Sequence, residues 1–128
     1  MKITRFEDLD CWQEARQLTK YVYQATNTNN FKKDLRLSGQ IQAASGSVMA
    51  NIAEGFIRHS DKEFIQFLYI SMASCAEVQS HLYIALDQSY IGEQIFQEIY
   101  NQADKTARLI SGLIKYLRSS TRKTKQTK

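Results

Sequence analysis

No proline occurs in the 128 residues, and that narrows the fold more than any motif does. Proline breaks helix interiors and is otherwise at home in loops and at sheet edges. A chain of this length without it reads as helices joined by short turns. The apolar residues agree: Leu9, Trp12, Ala15, Leu18, Val22 and Ala25 recur at steps of three and four and draw one buried stripe on a first helix from about Asp10 to Thr26. Arg16, Lys20 and Gln24 fall outside that stripe. Asp10 followed by Gln13 has the form of an N-cap with its capping-box partner. Asn27-Thr28-Asn29-Asn30 ends the helix, because these side chains compete with the helical backbone for hydrogen bonds.

The connection that follows carries Lys32 and Lys33 and leads through Asp34, a candidate cap, into a second helix from about Leu35 to Arg58. Leu37, Ile41, Ala44, Val48, Ile52 and Gly55 form its core stripe. Ser38, Gly39, Ala43, Ser45, Gly46, Ser47, Ala50 and Ala53 keep the rest of its circumference narrow, so neighbours can approach it from more than one side. The corner at His59 is brief, and Ser60-Asp61-Lys62-Glu63 is a capping box that starts a third helix, from about Asp61 to Gln88. So short a link predicts antiparallel neighbours. Phe64, Phe67, Leu68, Ser71, Cys75, Val78, Leu82 and Ala85 face the core. Ile65, Tyr69, Met72, Ala76, Tyr83 and Leu86 form a second apolar band beside them, which suits either a wide core or a subunit interface centred on Ile65, Tyr69, Met72 and Tyr83. We favour the interface.

Ser89-Tyr90-Ile91-Gly92 is the last turn, and a fourth helix from about Gly92 to Ser119 turns Ile95, Ile99, Gln102, Leu109 or Ile110, Leu113 and Leu117 inward. The pattern predicts an all-α, up-down-up-down antiparallel four-helix bundle over residues 1–117, with residues 118–128 as a basic, flexible tail.

Hydrophobic residues at 43% and charged residues at 23% are ordinary for a soluble domain. No apolar run is long enough for a membrane span, and Met1 to Glu7 has a basic start without the apolar block of a secretory signal, so a cytoplasmic protein is expected. Cys11 and Cys75 are far apart, form no metal-binding spacing and read as free packing thiols. The formal charge of +4 is unevenly placed: Arg118, Arg122, Lys123, Lys125 and Lys128 lie beyond residue 117 with no acid among them, leaving 12 cations against 13 acids before that point. Such a tail attracts phosphates without reading sequence.

Chemistry-bearing motifs are sparse. A di-iron bundle needs Glu-x-x-His on two helices, but Phe56 stands three before His59 and Val78 three before His81. Glu77 and His81 are four apart and read as a surface pair. There is no phosphate-binding glycine loop and no nucleophile elbow, so neither an enzyme nor a bound metal or cofactor is expected. One polar group remains, Asn51, Glu54 and Arg58 along one edge of the second helix. Ser74 and Glu77 lie at matching heights on the third, which predicts an interhelical clasp.

Phe6-x-Asp8-Leu9-x-x-Trp12-Gln13-x-Ala15, Leu37-x-x-Gln40-Ile41, Ser47-x-x-x-Asn51-Ile52-Ala53-Glu54-Gly55-x-x-Arg58 and Lys62-Glu63-Phe64-x-x-Phe67-Leu68 together resemble a bacterial four-helix-bundle family. That family includes proteins encoded within intervening sequences of large-subunit ribosomal RNA genes and is related to the accessory variability proteins of diversity-generating retroelements. The resemblance spans about residues 6 to 117. It implies a four-helix protomer in a homopentameric barrel and, for the retroelement relatives, binding to nucleic acid and a reverse transcriptase through a basic surface. The chain departs from the family in having Gln42-Ala43-Ala44 where arginines are common and Lys32 where proline is usual. Lys32, Lys33, Arg36, Arg58, Arg118, Arg122, Lys123 and Lys125 remain as candidate phosphate contacts. The expectation is a non-enzymatic oligomer that binds RNA, DNA or a nucleic-acid-processing partner. The alternative is a structural or protein-interaction oligomer that binds none.

Overall fold

A computed structural model describes residues 3–126, with the backbone alone described for Asn29 and residues 121–126. Five α-helices and no strand occur among the described residues: α1 (Asp10–Thr26), α2 (Asn29–Lys33), α3 (Leu35–Phe56), α4 (Asp61–Asp87) and α5 (Glu93–Gln126), preceded by a 3-10 turn, Phe6–Asp8. The four long helices pack as a bundle in which α3 lies between α1 and α4, and α5 closes on α4 and α1.

The sequence pattern places α3 and α4 well. Leu37, Ile41, Ala44, Val48, Ile52 and Gly55 are all buried, and of the α4 stripe only Phe67 remains half-buried. The narrowness of α3 is used on both flanks. From α1, the Thr19 hydroxyl donates to the Ser45 carbonyl at 3.1 Å. From α4, the Ser71 hydroxyl donates to the Val48 carbonyl at 3.0 Å, and that of Ser74 to Ser47 Oγ at 3.0 Å. A hydroxyl reaches a neighbouring backbone only where no bulky side chain intervenes, and each of these buried groups would otherwise be costly to leave unpaired. Between α3 and α4 the contacts run in opposite chain directions: Gly55 meets Phe64 and Phe67 while Ser47 meets Ser74.

Three local expectations are corrected. Asp10 is the first residue of α1, not its cap; Leu9 holds the cap position, and the Gln13 amide donates back to the Glu7 carbonyl at 2.9 Å. The 3-10 turn brings that carbonyl within reach, so a side chain four residues into the helix ties its entry. The loop after α1 contains α2, a helical turn held by Phe31, whose ring is fully buried and stacks on Tyr90 at 5.4 Å. Burial of one aromatic there outweighs the poor helix propensity of Asn29 and Asn30. On α5 the buried line is Phe96, Ile99, Ala103, Thr106, Ile110, Ile114 and Leu117, whereas Ile95 is 41% exposed. Ala103 and Thr106 carried little hydrophobic signal, and the Thr106 hydroxyl satisfies itself on the Gln102 carbonyl at 2.8 Å.

The caps of α3 and α4 follow the residues that suggested them. Asp34 Oδ1 accepts from the Leu37 N–H at 3.0 Å, and Ser60 Oγ accepts from the Glu63 N–H at 3.2 Å. The Glu63 carboxylate lies 3.2 Å from the Ser60 hydroxyl, which donates to it. α4 ends in a Schellman motif: Tyr90 N–H donates to the Ala85 carbonyl at 2.8 Å and Ser89 N–H to that of Leu86 at 3.0 Å, with Ser89 at φ 59°. No helix among the described residues is long and apolar enough to cross a membrane.

Candidate functional site

The cations divide by what already holds them. Arg58 pairs with Glu54 at 3.2 Å and lies over the Phe67 ring at 4.8 Å. Arg118 donates to the Tyr69 hydroxyl and lies 5.4 Å from that ring's centroid. Both guanidinium groups are thus engaged within the protein. The side chains of Arg122, Lys123 and Lys125 lie outside the described residues. Lys32, Lys33 and Arg36 are exposed at the corner between α2 and α3 and enter no ion pair among the described residues.

Lys32 opens onto a cavity of about 660 Å³ between the end of α1 and the start of α3. Lys20, which falls outside the apolar stripe of α1, reaches the same space. The walls add Tyr23, half exposed, and the amides of Gln24, Asn27 and Gln42, and no carboxylate lines it. The Gln42 amide is oriented by donating to the Thr26 hydroxyl at 2.9 Å. Two ammonium groups, an aromatic face and three amides offer what a nucleic-acid strand needs: charge for phosphates, a stacking surface and hydrogen-bonding groups for sugars and base edges.

The corner bearing Lys32 is held by one carboxylate. While Asp34 Oδ1 caps α3, its Oδ2 accepts from the Tyr90 hydroxyl at 3.0 Å. That bond to Asp34, with burial second, raises the Tyr90 hydroxyl above the ordinary tyrosine range. Asp34, Tyr90 and Phe31 together tie α2 to the turn between α4 and α5.

The expected clasp is divided among three contacts. Ser47, not singled out as a polar partner in the sequence, is the hub: it receives the Ser74 hydroxyl, and the Asn51 amide donates both to its Oγ at 3.0 Å and to its carbonyl at 2.9 Å. Glu54 and Arg58 pair with each other on the surface, and Glu77 lies 3.6 Å from His81. Asn51 and Ser47 are one helical turn apart on α3, so the amide turns back along its own helix. Among the described residues no three histidines, cysteines or carboxylates gather as a metal site. Both thiols are free and buried, and burial pushes each up to about 12.

On α4, Ile65 and Met72 lie partly buried against the core, whereas Tyr69 and Tyr83 are about half exposed. The outward strip of this helix is Tyr69, Ile70, Ala73, Ala76, Tyr83 and Ile84, all exposed.

Fold and site together define a helical-bundle protein with a narrow central helix, a cation-lined cleft at one end and an apolar outer face. The chain belongs to the 23S rRNA-intervening sequence protein family, whose profile matches residues 7–112. It is similar in fold to the crystal structure of a protein of unknown function from the S23 ribosomal protein family of Bacteroides thetaiotaomicron. The TM-score is 0.75 at 24% identity, covering 82% of this chain and 98% of that one. No curated protein matches the sequence.

Proposed function

We propose that the chain is a non-enzymatic, cytoplasmic, oligomeric bundle that binds nucleic acid through the cleft between α1 and α3. The observation that carries this reading is the lining of that cleft, with Lys20, Lys32 and Tyr23 present and no carboxylate. Membership of the rRNA intervening-sequence family supports it, and a cytoplasmic location suits two cysteines kept as free thiols. The four long helices run up-down-up-down in this reading. The supporting pairs descend on one helix as they ascend on the next: Thr26 with Gln42 and Thr19 with Ser45, Ser47 with Ser74 and Gly55 with Phe64, Tyr83 with Phe96, Gln79 with Tyr100 and Tyr69 with Arg118.

The test is fluorescence anisotropy of labelled single-stranded RNA and DNA against salt concentration. Each phosphate contact removed lowers the slope of log K against log salt by about 0.7 on single strands. Lys20→Ala/Lys32→Ala should therefore flatten it by about 1.4. Absence of binding to the intact protein at low salt would overturn the reading.

The oligomer is assigned to the outward strip of α4. An exposed apolar strip of this kind marks an interaction surface, and Ala73 and Ala76 leave its centre flat enough for close approach. Light scattering should give a mass near five times 14.8 kDa, the pentamer the family resemblance implies. Ile70→Glu/Ile84→Glu, at positions 50% and 45% exposed, should dissociate it without unfolding the protomer. A monomeric parent protein would refute the assignment. The α4 strip also favours the second reading, an oligomer with a purely structural or protein-binding role, which a stable assembly without nucleic-acid affinity would establish.

A further inference from the structure

A second cavity, of about 310 Å³, lies on the opposite flank of α1, between its last turns and the start of α5. Gln24 lines both cavities, so they meet across one ridge. Their chemistry differs sharply. The first offers lysines and amides. The second is walled by Tyr21, Tyr90, Ile91, Ile95 and Ile99 and carries one charged group, the Glu98 carboxylate. We propose that this second cavity takes a single unstacked base bearing an exocyclic amino group, such as cytosine or adenine, from a strand whose phosphates lie on Lys20 and Lys32. The inference rests on the nucleic-acid reading of the adjoining cleft.

Three features point to a base. The size is at the lower end for small-ligand sites, which suits one nucleoside. One wall is pre-organised, because the Tyr90 ring stacks on buried Phe31 with 27° between planes and its hydroxyl is fixed on Asp34 at 3.0 Å. An aromatic wall that does not have to be ordered on binding is what a stacking site requires. Ile95, 41% exposed and one position away from the buried line of α5, presents an apolar surface that the bundle core does not use.

The carboxylate supplies selectivity. An ionised glutamate only accepts hydrogen bonds. It repels phosphate, which directs the backbone to the lysine side of the ridge. It matches the amino donor at N4 of cytosine or N6 of adenine, whereas uracil and thymine present a carbonyl oxygen at the corresponding edge. Glu98 is exposed, and no hydrogen bond or ion pair occupies it among the described residues, so its acceptor capacity is free for a ligand.

The experiment measures anisotropy of labelled rC, rA and rU decamers, with dC and dT decamers in parallel, on the full chain, Lys20→Ala/Lys32→Ala and Glu98→Gln. The intact protein should prefer the amino-bearing strands by about tenfold, the lower range of discrimination for one specific base contact. This should hold in at least one of the ribo and deoxy series. Glu98→Gln, whose amide donates to a uracil or thymine carbonyl as readily as it accepts from the cytosine amino group, should bring the cytosine-to-uracil and cytosine-to-thymine ratios near one. The ratio is the decisive quantity, because removing a negative charge raises affinity for every strand equally. The double lysine variant should weaken all strands alike and keep the ratio. Binding without base preference, or a preference unaltered in Glu98→Gln, would overturn the base site while leaving the cleft. Failure of the intact protein to bind any decamer at low salt would overturn both.

Discussion

Replacing Gly55 by alanine adds one methyl group to α3 at its closest approach to α4. A Cβ there would stand 2.8 Å from Phe67 Cβ, 2.9 Å from Phe64 Cδ1 and 3.3 Å from the Phe64 carbonyl oxygen. Phe67 Cβ is fixed to its helix and cannot rotate away. The Phe64 ring is 8% exposed and edge-on to Phe56 at 6.0 Å, so it has little room to yield. The helices must therefore separate by several tenths of an ångström, across the interface that holds the Ser71 to Val48 and Ser74 to Ser47 hydrogen bonds. Overpacking costs about 1–3 kcal/mol, and with two rigid clashes the upper end applies. Against this, alanine is about 1 kcal/mol better than glycine within a helix. The net expectation for Gly55→Ala is a loss of about 2 kcal/mol, or roughly 8 °C in Tm for a domain of this size.

Gly112→Ala is the matched control, since a Cβ at Gly112 meets nothing within 4 Å. It should gain the propensity alone, about 1 kcal/mol and roughly 4 °C. Both variants are compared with the parent at one protein concentration by circular dichroism and urea titration, because mass action links an oligomer's stability to concentration. A Gly55→Ala protein that melts at or above the parent would refute the close-approach account of this glycine.

Two further outcomes follow from the turn and the thiols. Ser89→Gly should raise stability by about 1 kcal/mol, since a left-handed backbone costs an L-residue about 1–2 kcal/mol and glycine loses part of that gain to unfolded-state entropy; an unchanged urea midpoint would argue against strain at φ 59°. Burial raises Cys11 and Cys75 from an ordinary 9.0 to about 12, so folding favours their neutral form. Their contribution is complete below pH 9 and lost as pH climbs towards 12, and urea midpoints should fall across that window, more steeply than in Cys11→Ala/Cys75→Ala. In the native state at pH 8 neither thiol should react with iodoacetamide, and rapid alkylation would contradict their burial.

The helices were legible where burial and side-chain chemistry agreed. On α3 and α4 every third or fourth residue is apolar or small, so a period of 3.6 reads out the buried face directly. On α5 the signal was ambiguous, because Ile95 and Leu113 compete with Ala103 and Thr106 for the inward face, and only the neighbouring helices decide the rotation. α2 escaped notice because its stability comes from Phe31 meeting Tyr90 far along the chain, a contact that no local window contains. The cleft was half visible. Lys32 stood out as part of a basic pair, but Lys20 looked like ordinary solvent-facing charge until α1 and α3 brought the two to one cavity. Arg58 and Arg118 were legible as cations but not as engaged ones, because a sequence lists charges without showing the glutamate and aromatic rings beside them.

The strongest motif and the candidate site therefore belong to different ends of the same helix. Asn51, Ile52, Gly55 and their neighbours lie where α3 must admit α4, and their chemistry is explained by contacts already made: an amide on Ser47, a buried isoleucine, a glycine against two phenylalanines. At the other end, the start of α3 is fixed by Asp34 and Tyr90, and the groups around it, Lys20, Lys32, Tyr23 and Gln24, have chemistry that the fold does not consume. If the cleft binds nucleic acid, substitutions at Gly55 and Ser47 should act on stability and reach binding only through unfolding. Lys20 and Lys32 should do the reverse. A Lys20→Ala/Lys32→Ala protein that melts well below the parent would show that these lysines are part of the scaffold, and would remove the division of labour along α3.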